Sequence, residues 1–183
     1  LERVWLESPV YFVTACTQQR RPILAATAVA DILTGEWRVA GERHGWLVGR
    51  YVIMPEHVHF FCASQPNAKT LSVFIGAWKE WTSKRIAREL GPSVVAAGVD
   101  RGPDASAVAA GADRGSTADT IHDNPRSPRA ATTRLWQQGF FDHVLRSEES
   151  YAQKWEYVRQ NAVRAGLTAR AEAWPFQGEI HPL

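Results

Sequence analysis

Three things are scarce in this 183-residue chain. Cysteine occurs twice, at Cys16 and Cys62, each inside a separate strand-like hydrophobic run. Two isolated thiols argue against a disulfide framework and against a cysteine-based metal site; they read as small buried hydrophobes of a reducing compartment. Charge of one sign is scarce too. Lys and Arg number 21 against 19 Asp and Glu, a formal net charge of +2. That balance alone does not announce nucleic-acid binding, although a pI near 8.7 is compatible with it. Long apolar runs are absent: no stretch approaches the ~20 residues of a membrane span, and no secretory leader is legible, so cytoplasm is the expected compartment.

What is present suffices for a core. The chain is 45% hydrophobic and holds 8 Trp, which fits one ordinary domain. Val10 to Cys16 reads as a strand, rich in β-branched and aromatic residues. Leu24, Ala28, Val29, Ile32 and Leu33 recur at helical spacing, and the pattern fades near Gly41. Trp46 to Met54 and His57 to Ala63 read as two further strands around Pro55. Leu71 to Leu90 is a helix with Leu71, Phe74, Ile75, Trp78, Thr82 and Ile86 on one face. Lys84 and Arg88 lie on another face, with Arg85 at the border.

Residues 91–133 differ in kind. The segment is rich in Ala, Gly, Asp, Pro and Ser, has no aromatic residue and carries the near-repeat Ala96–Gly102 and Ala109–Gly115. Such a composition cannot bury enough apolar surface to order itself, and a disordered insertion is expected. A fourth strand-like region follows over Leu135 to Arg146. Ser147 then caps a last helix that runs to about Ala165, with Gly166 as its stop. The tail residues Trp174, Pro175 and Phe176 are expected to pack back onto the body. The order β-α-β-β-α-insert-β-α predicts an α+β ferredoxin-like (split βαβ) plait, a four-stranded antiparallel sheet with an added C-terminal helix.

Two features carry chemistry. His57 and His59 flank Val58 inside a strand, so both imidazoles share one face, with Cα atoms roughly 6.6 Å apart at about 3.3 Å per residue. That suits two ligands converging on a metal, and equally suits two packed, hydrogen-bonded histidines. On the last helix, Tyr151, Trp155, Val158 and Ala162 form one stripe, while Tyr157, Asn161 and Arg164 lie roughly opposite. Tyr151 thus has a core role and Tyr157 does not. An amide one turn beyond a phenol would couple the position of a metal to that of a nucleophile; a solvent-exposed tyrosine is the plainer alternative. Other metal folds fail on detail: a histidine-triad hydrolase needs a third His where Phe61 stands, and a cupin needs a Glu where none occurs before Glu80.

Three segments in this order resemble the single-tyrosine HUH transposases, specifically the REP-associated tyrosine transposases: Tyr51 to His59, Phe141 to Ser147, and Tyr157 to Leu167. The resemblance covers nearly everything outside 91–133. It implies one transposase domain over 1–183. It implies that His57, His59 and Asn161 bind a divalent metal ion (Mg²⁺ or Mn²⁺), and that Tyr157 attacks the scissile phosphate to give a 5′-phosphotyrosyl link. The implied partner is bacterial single-stranded DNA with hairpins, REP-like palindromes, met at the nucleoid by a monomer rather than a dimer. DNA contacts are expected from Arg146, Lys84, Arg85, Arg88, Arg164 and His143, although a solvated helix face accounts equally for the three cations of the long helix. The reading from another class is a domesticated protein that binds hairpins without cutting them.

Two positions depart from the family pattern. Glu56 stands where Asn is usual, and as a strand neighbour of His57 it is expected on the opposite face. Ala162 stands where Pro is usual, which predicts a straighter helix around Asn161 and makes Gln160 a substitute ligand.

Overall fold

The computed structural model describes residues 9–92, 94, 134–145 and 147–183. The expected disordered insertion lies almost wholly outside the described residues, as does Arg146. Five antiparallel strands form one sheet: β1 (Val10–Cys16), β2 (Trp46–Ile53), β3 (His57–Ser64), β4 (Phe141–Leu145) and β5 (Gln177–Glu179), in the order β4-β1-β3-β2-β5. The first four reproduce the predicted plait. The fifth was not expected; the tail adds it to the open edge of β2, pairing Arg50, Tyr51 and Val52 with Glu179, Gly178 and Gln177.

One sheet face is covered by α1 (Thr27–Arg38), α2 (Ala40–His44) and α3 (Leu71–Leu90). α3 keeps the predicted bounds. Thr70 caps its start by accepting the Val73 N–H, and Phe74, Ile75, Trp78 and Ile86 are buried against Val13, Val58, Phe60 and Cys62. The expected first helix begins later, at Thr27, leaving Leu24 as a buried residue ahead of it. Trp37 of α1 stacks on Trp78 of α3 at 5.2 Å between ring centroids, a pairing worth ~1 kcal/mol beyond its burial.

The other face is covered by α4 (Glu148–Arg159) and α5 (Asn161–Arg164). Ser147 caps α4 by accepting the Ser150 N–H, as expected. Tyr151, Val158 and Ala162 are buried against Val10, Phe12, Val52, Met54, Phe61 and Leu145. The expected straight helix is broken at Gln160, whose N–H bonds back to the Val158 carbonyl. Burial of Val158 and Ala162 on the two sides of the break outweighs the small helix preference of a single alanine. The stop is as predicted: Gly166 has φ +68°, and the Leu167 and Gly166 N–H groups bond to the Ala162 and Val163 carbonyls.

The fourth strand is shorter than the predicted region. Only Phe141 to Leu145 pair with β1, while Leu135, Trp136 and Phe140 enter the α1–α3 core instead. Trp136 packs 4.8 Å from Trp78 and its indole donates to Thr82 Oγ1 at 3.0 Å. The tail returns as expected: the Trp174 indole donates to the Ile53 carbonyl at 3.0 Å, and Phe176 packs on the α1–α3 side.

Candidate active site

Strand alternation puts His57 and His59 on the α4 face and Val58 and Phe60 in the opposite core. The two imidazoles lie 4.6 Å apart between centroids at 76°. Each is held at Nδ1. His57 Nδ1–H donates to Glu56 Oε1 at 3.1 Å, and His59 Nδ1 is hydrogen-bonded to Thr14 Oγ1 at 2.8 Å. The His59 ring also stacks on Phe12 at 5.3 Å. Orientation at Nδ1 is how ligating histidines are commonly fixed, with Nε2 left for the metal. The donor set therefore fits a divalent cation.

Glu56 is not on the far face. β3 starts at His57, and Glu56 belongs to the corner before it, where strand alternation does not apply. Thr17 fixes that corner: its N–H and hydroxyl donate to the Glu56 carbonyl at 2.9 and 3.0 Å. The bond from His57 holds the Glu56 carboxyl below its usual range, against the opposing effect of burial.

Burial pushes His59 well below the usual imidazole range, and His57, Lys154, Arg164 and Arg20 add to it. A neutral imidazole is the ligating form. The same cations give the corner a field suited to an anionic substrate. Lys154 projects from α4 over the Phe12 ring at 4.8 Å and lies 5.8 Å from the Tyr157 ring. Arg164 lies over the same ring, 4.2 Å from its centroid, donates to the Tyr157 carbonyl at 2.9 Å and bonds Asn161 Oδ1. Tyr157 is 48% exposed. Thus Phe12 and Lys154 bridge His59 to the Tyr157–Asn161 pair, all on one face of the sheet.

Lys154 and Arg20 were missed by sequence reasoning. Lys154 had a signal: it lies three residues before Tyr157, on the same helical face. Arg20 had none, since it is brought in by a tight turn in which Gln19 and Arg20 both have positive φ. Among the described residues no group of three or more His, Cys, Asp or Glu is placed to hold a metal.

The remaining candidates divide. His143 is exposed on β4 and, opposite Phe12 in the register, shares the histidine face. Its neighbour Phe141, opposite Thr14, is 42% exposed. Lys84, Arg85 and Arg88 lie on α3, against the other sheet face, and are ion-paired: Lys84 with Glu80, Arg85 with Glu36 and Glu89, Arg88 with Glu89. The structure does not bring them to the histidines. Gln160, the substitute ligand, donates to Glu156 Oε1 at 3.3 Å. Among the described residues no helix is long and apolar enough to cross a membrane.

Residues 7–94 match the family described as transposase IS200-like. Comparison with curated proteins gives no match. Among solved structures, the chain is similar in fold to a REP-associated tyrosine transposase bound to a REP hairpin, with 16% identity, a TM-score of 0.62, and coverage of 97% of this chain and 80% of that one. It is also similar to a putative transposase from Deinococcus radiodurans R1, with 17% identity, a TM-score of 0.49, and coverage of 87% and 95%.

Proposed function

For a chain whose residues 7–94 match the IS200-like transposase family, we propose a metal-dependent endonuclease and strand transferase acting on single-stranded DNA beside hairpins. The observation that carries the reading is the shared face. Two Nδ1-anchored histidines and an exposed tyrosine flanked by Lys154 and Arg164 stand on the same side of one sheet.

His57 and His59 would hold Mg²⁺ or Mn²⁺ through Nε2. Asn161 Oδ1, which keeps a second lone pair beside its bond to Arg164, would be the third donor. The cation supplies polarisation and charge neutralisation at the scissile phosphate. Tyr157 Oη attacks phosphorus; the Oη–P bond forms and the P–O3′ bond breaks. The phenolic proton ends on the departing 3′ oxygen, leaving a 5′-phosphotyrosine and a free 3′-OH. Attack by a 3′-OH on that link reverses the step and rejoins strands. Lys154 and Arg164 hold the phosphate, and Phe141 offers a stacking surface for an unpaired base. His143 contacts the strand at the same edge.

The proposed working unit is a monomer, a single domain over 1–183. A relative of this fold is bound to a REP hairpin, and palindromic repeats of that kind are the proposed substrate, met in the cytoplasm at the nucleoid. A second reading, hairpin binding without cleavage, draws support from Arg164, which occupies Asn161 Oδ1 and covers the Tyr157 ring.

Labelled hairpin-bearing single strands, incubated with the protein and Mn²⁺ and run on a denaturing gel, separate the two. Cleavage predicts a covalent protein–DNA band lost in Tyr157→Phe and on chelation. Tight binding with no such band would overturn the catalytic reading in favour of the second.

A further inference from the structure

The carboxylate at the corner before the histidines goes beyond what the family resemblance implies. Glu56 stands there, and its Oε1 lies 3.1 Å from His57 Nδ1. An asparagine could donate or accept at that nitrogen and would select no tautomer. An ionised carboxylate only accepts, so His57 must carry its proton at Nδ1 and present a lone pair at Nε2. The other histidine has no such control, because the Thr14 hydroxyl can take either role.

The corner is also pre-set. The Glu56 carbonyl receives two bonds from Thr17, the Pro55 carbonyl accepts from the Leu24 N–H at 2.8 Å, and the His57 carbonyl accepts from the Met54 N–H at 2.8 Å. The Glu56 side chain is 32% exposed and that of His57 15%, so the pair is drawn out of water enough for its charge to count. Around the neighbouring His59 stand Arg20, Lys154 and Arg164, which favour a phosphate but repel a cation. A carboxylate bonded to a ligand offsets that repulsion and raises the basicity of the imidazole.

We infer that Glu56 is a positioning residue that makes the divalent cation resident: the chain binds it before DNA arrives, with His57 as the anchoring ligand. This rests on the reading of His57 and His59 as cation ligands, and the test separates the two. Full-length protein stripped with chelator is titrated with Mn²⁺ alone, with no DNA, by calorimetry. Glu56→Gln keeps an acceptor without the charge, and Glu56→Ala removes both. Removal of such an outer partner costs about 10–100-fold in metal affinity. The expected order is therefore wild type, then Gln, then Ala, with melting temperatures unchanged and binding abolished in His57→Ala. Equal affinities in wild type and both Glu56 variants, with His57→Ala still dead, overturn the role of Glu56 and leave the ligands standing. Binding undiminished in His57→Ala overturns the ligand reading itself. Absence of Mn²⁺ binding by the wild type without DNA overturns the claim that the cation is resident.

Discussion

Neutralising Lys154 should reduce the salt dependence of DNA binding, and neutralising Lys84 should not. The two residues are alike in sequence terms, each a lysine on an amphipathic helix. The structure separates them. Lys154 faces the histidine side, 4.8 Å from the Phe12 ring and 5.8 Å from that of Tyr157. Lys84 lies on the far side of the sheet and is paired with Glu80 at 2.5 Å. Each cation–phosphate contact to a single strand contributes about 0.7 to the slope of log K against log salt. Lys154→Met should therefore lower the slope by about 0.7. Between roughly 50 and 200 mM salt, wild-type affinity should fall about 2.6-fold more than that of the variant. Stability should hardly move: losing exposed cation–π contacts costs about 0.5–1 kcal/mol, and a methionine retains favourable contact with both rings. For a chain of this length that is a fall in Tm of at most about 4 °C. The assay is fluorescence anisotropy with a labelled hairpin-bearing strand, using Tyr157→Phe as the background to prevent cleavage. Equal slopes for Lys154→Met and Lys84→Met would refute the assignment of the DNA path to the α4 face.

The Thr17 hydroxyl is fully buried, 2.8 Å from the Arg21 carbonyl and 3.0 Å from that of Glu56. Thr17→Val keeps the shape and the backbone bond to Glu56, so calorimetry should report a loss of about 1–2 kcal/mol, a Tm lower by roughly 2–8 °C, together with weaker Mn²⁺ binding. Burial raises the Cys62 thiol well above its ordinary value of 9.0. The unfolded chain then releases this proton first, so the stability it contributes is intact below about pH 9 and is lost as pH rises beyond that. Denaturant titrations from about pH 8 to 10.5 should give a flatter profile for Cys62→Ala than for wild type; identical profiles would refute the assignment.

What the sequence made legible was local. Periodicity sufficed for α3, whose buried residues Phe74, Ile75, Trp78, Thr82 and Ile86 repeat at helical spacing. It also sorted α4 correctly: Tyr151 and Val158 are buried while Tyr157 is 48% exposed. The cap at Ser147 and the stop at Gly166 depend on adjacent residues and were readable for that reason. What escaped was non-local. β5 is Gln177-Gly178-Glu179, a run without strand preference, ordered by the open edge of β2. The α3 cations looked available because one of their partners, Glu36, lies 49 residues before Arg85. Glu56 was misassigned because one residue decides whether a side chain alternates with a strand or belongs to the corner before it.

The same sensitivity explains how the sheet serves two layers. Between Val48 and Tyr51 the pairing of β2 with β3 slips, so Gly49 and Arg50 stand opposite Phe61 alone. Trp46 and Val48 before the slip, and Tyr51 and Ile53 after it, consequently all face the α1–α3 core. Val52 is turned the other way, opposite His59 and into the cluster beneath α4. Arg50 follows it and reaches the rings of Tyr151 and Trp155, at 5.6 and 5.5 Å, under the helix that carries Tyr157. Strict alternation from Trp46 onward would instead have sent Tyr51 and Ile53 to the α4 side and Val52 away from it. The histidines would then have lost the buried neighbour in their own row, and α4 its support beside them. The bulge thus links the packing of the large core to the placement of the Tyr157 helix on the histidine face of the sheet, and a single-residue deletion at Gly49 should disrupt both faces at once.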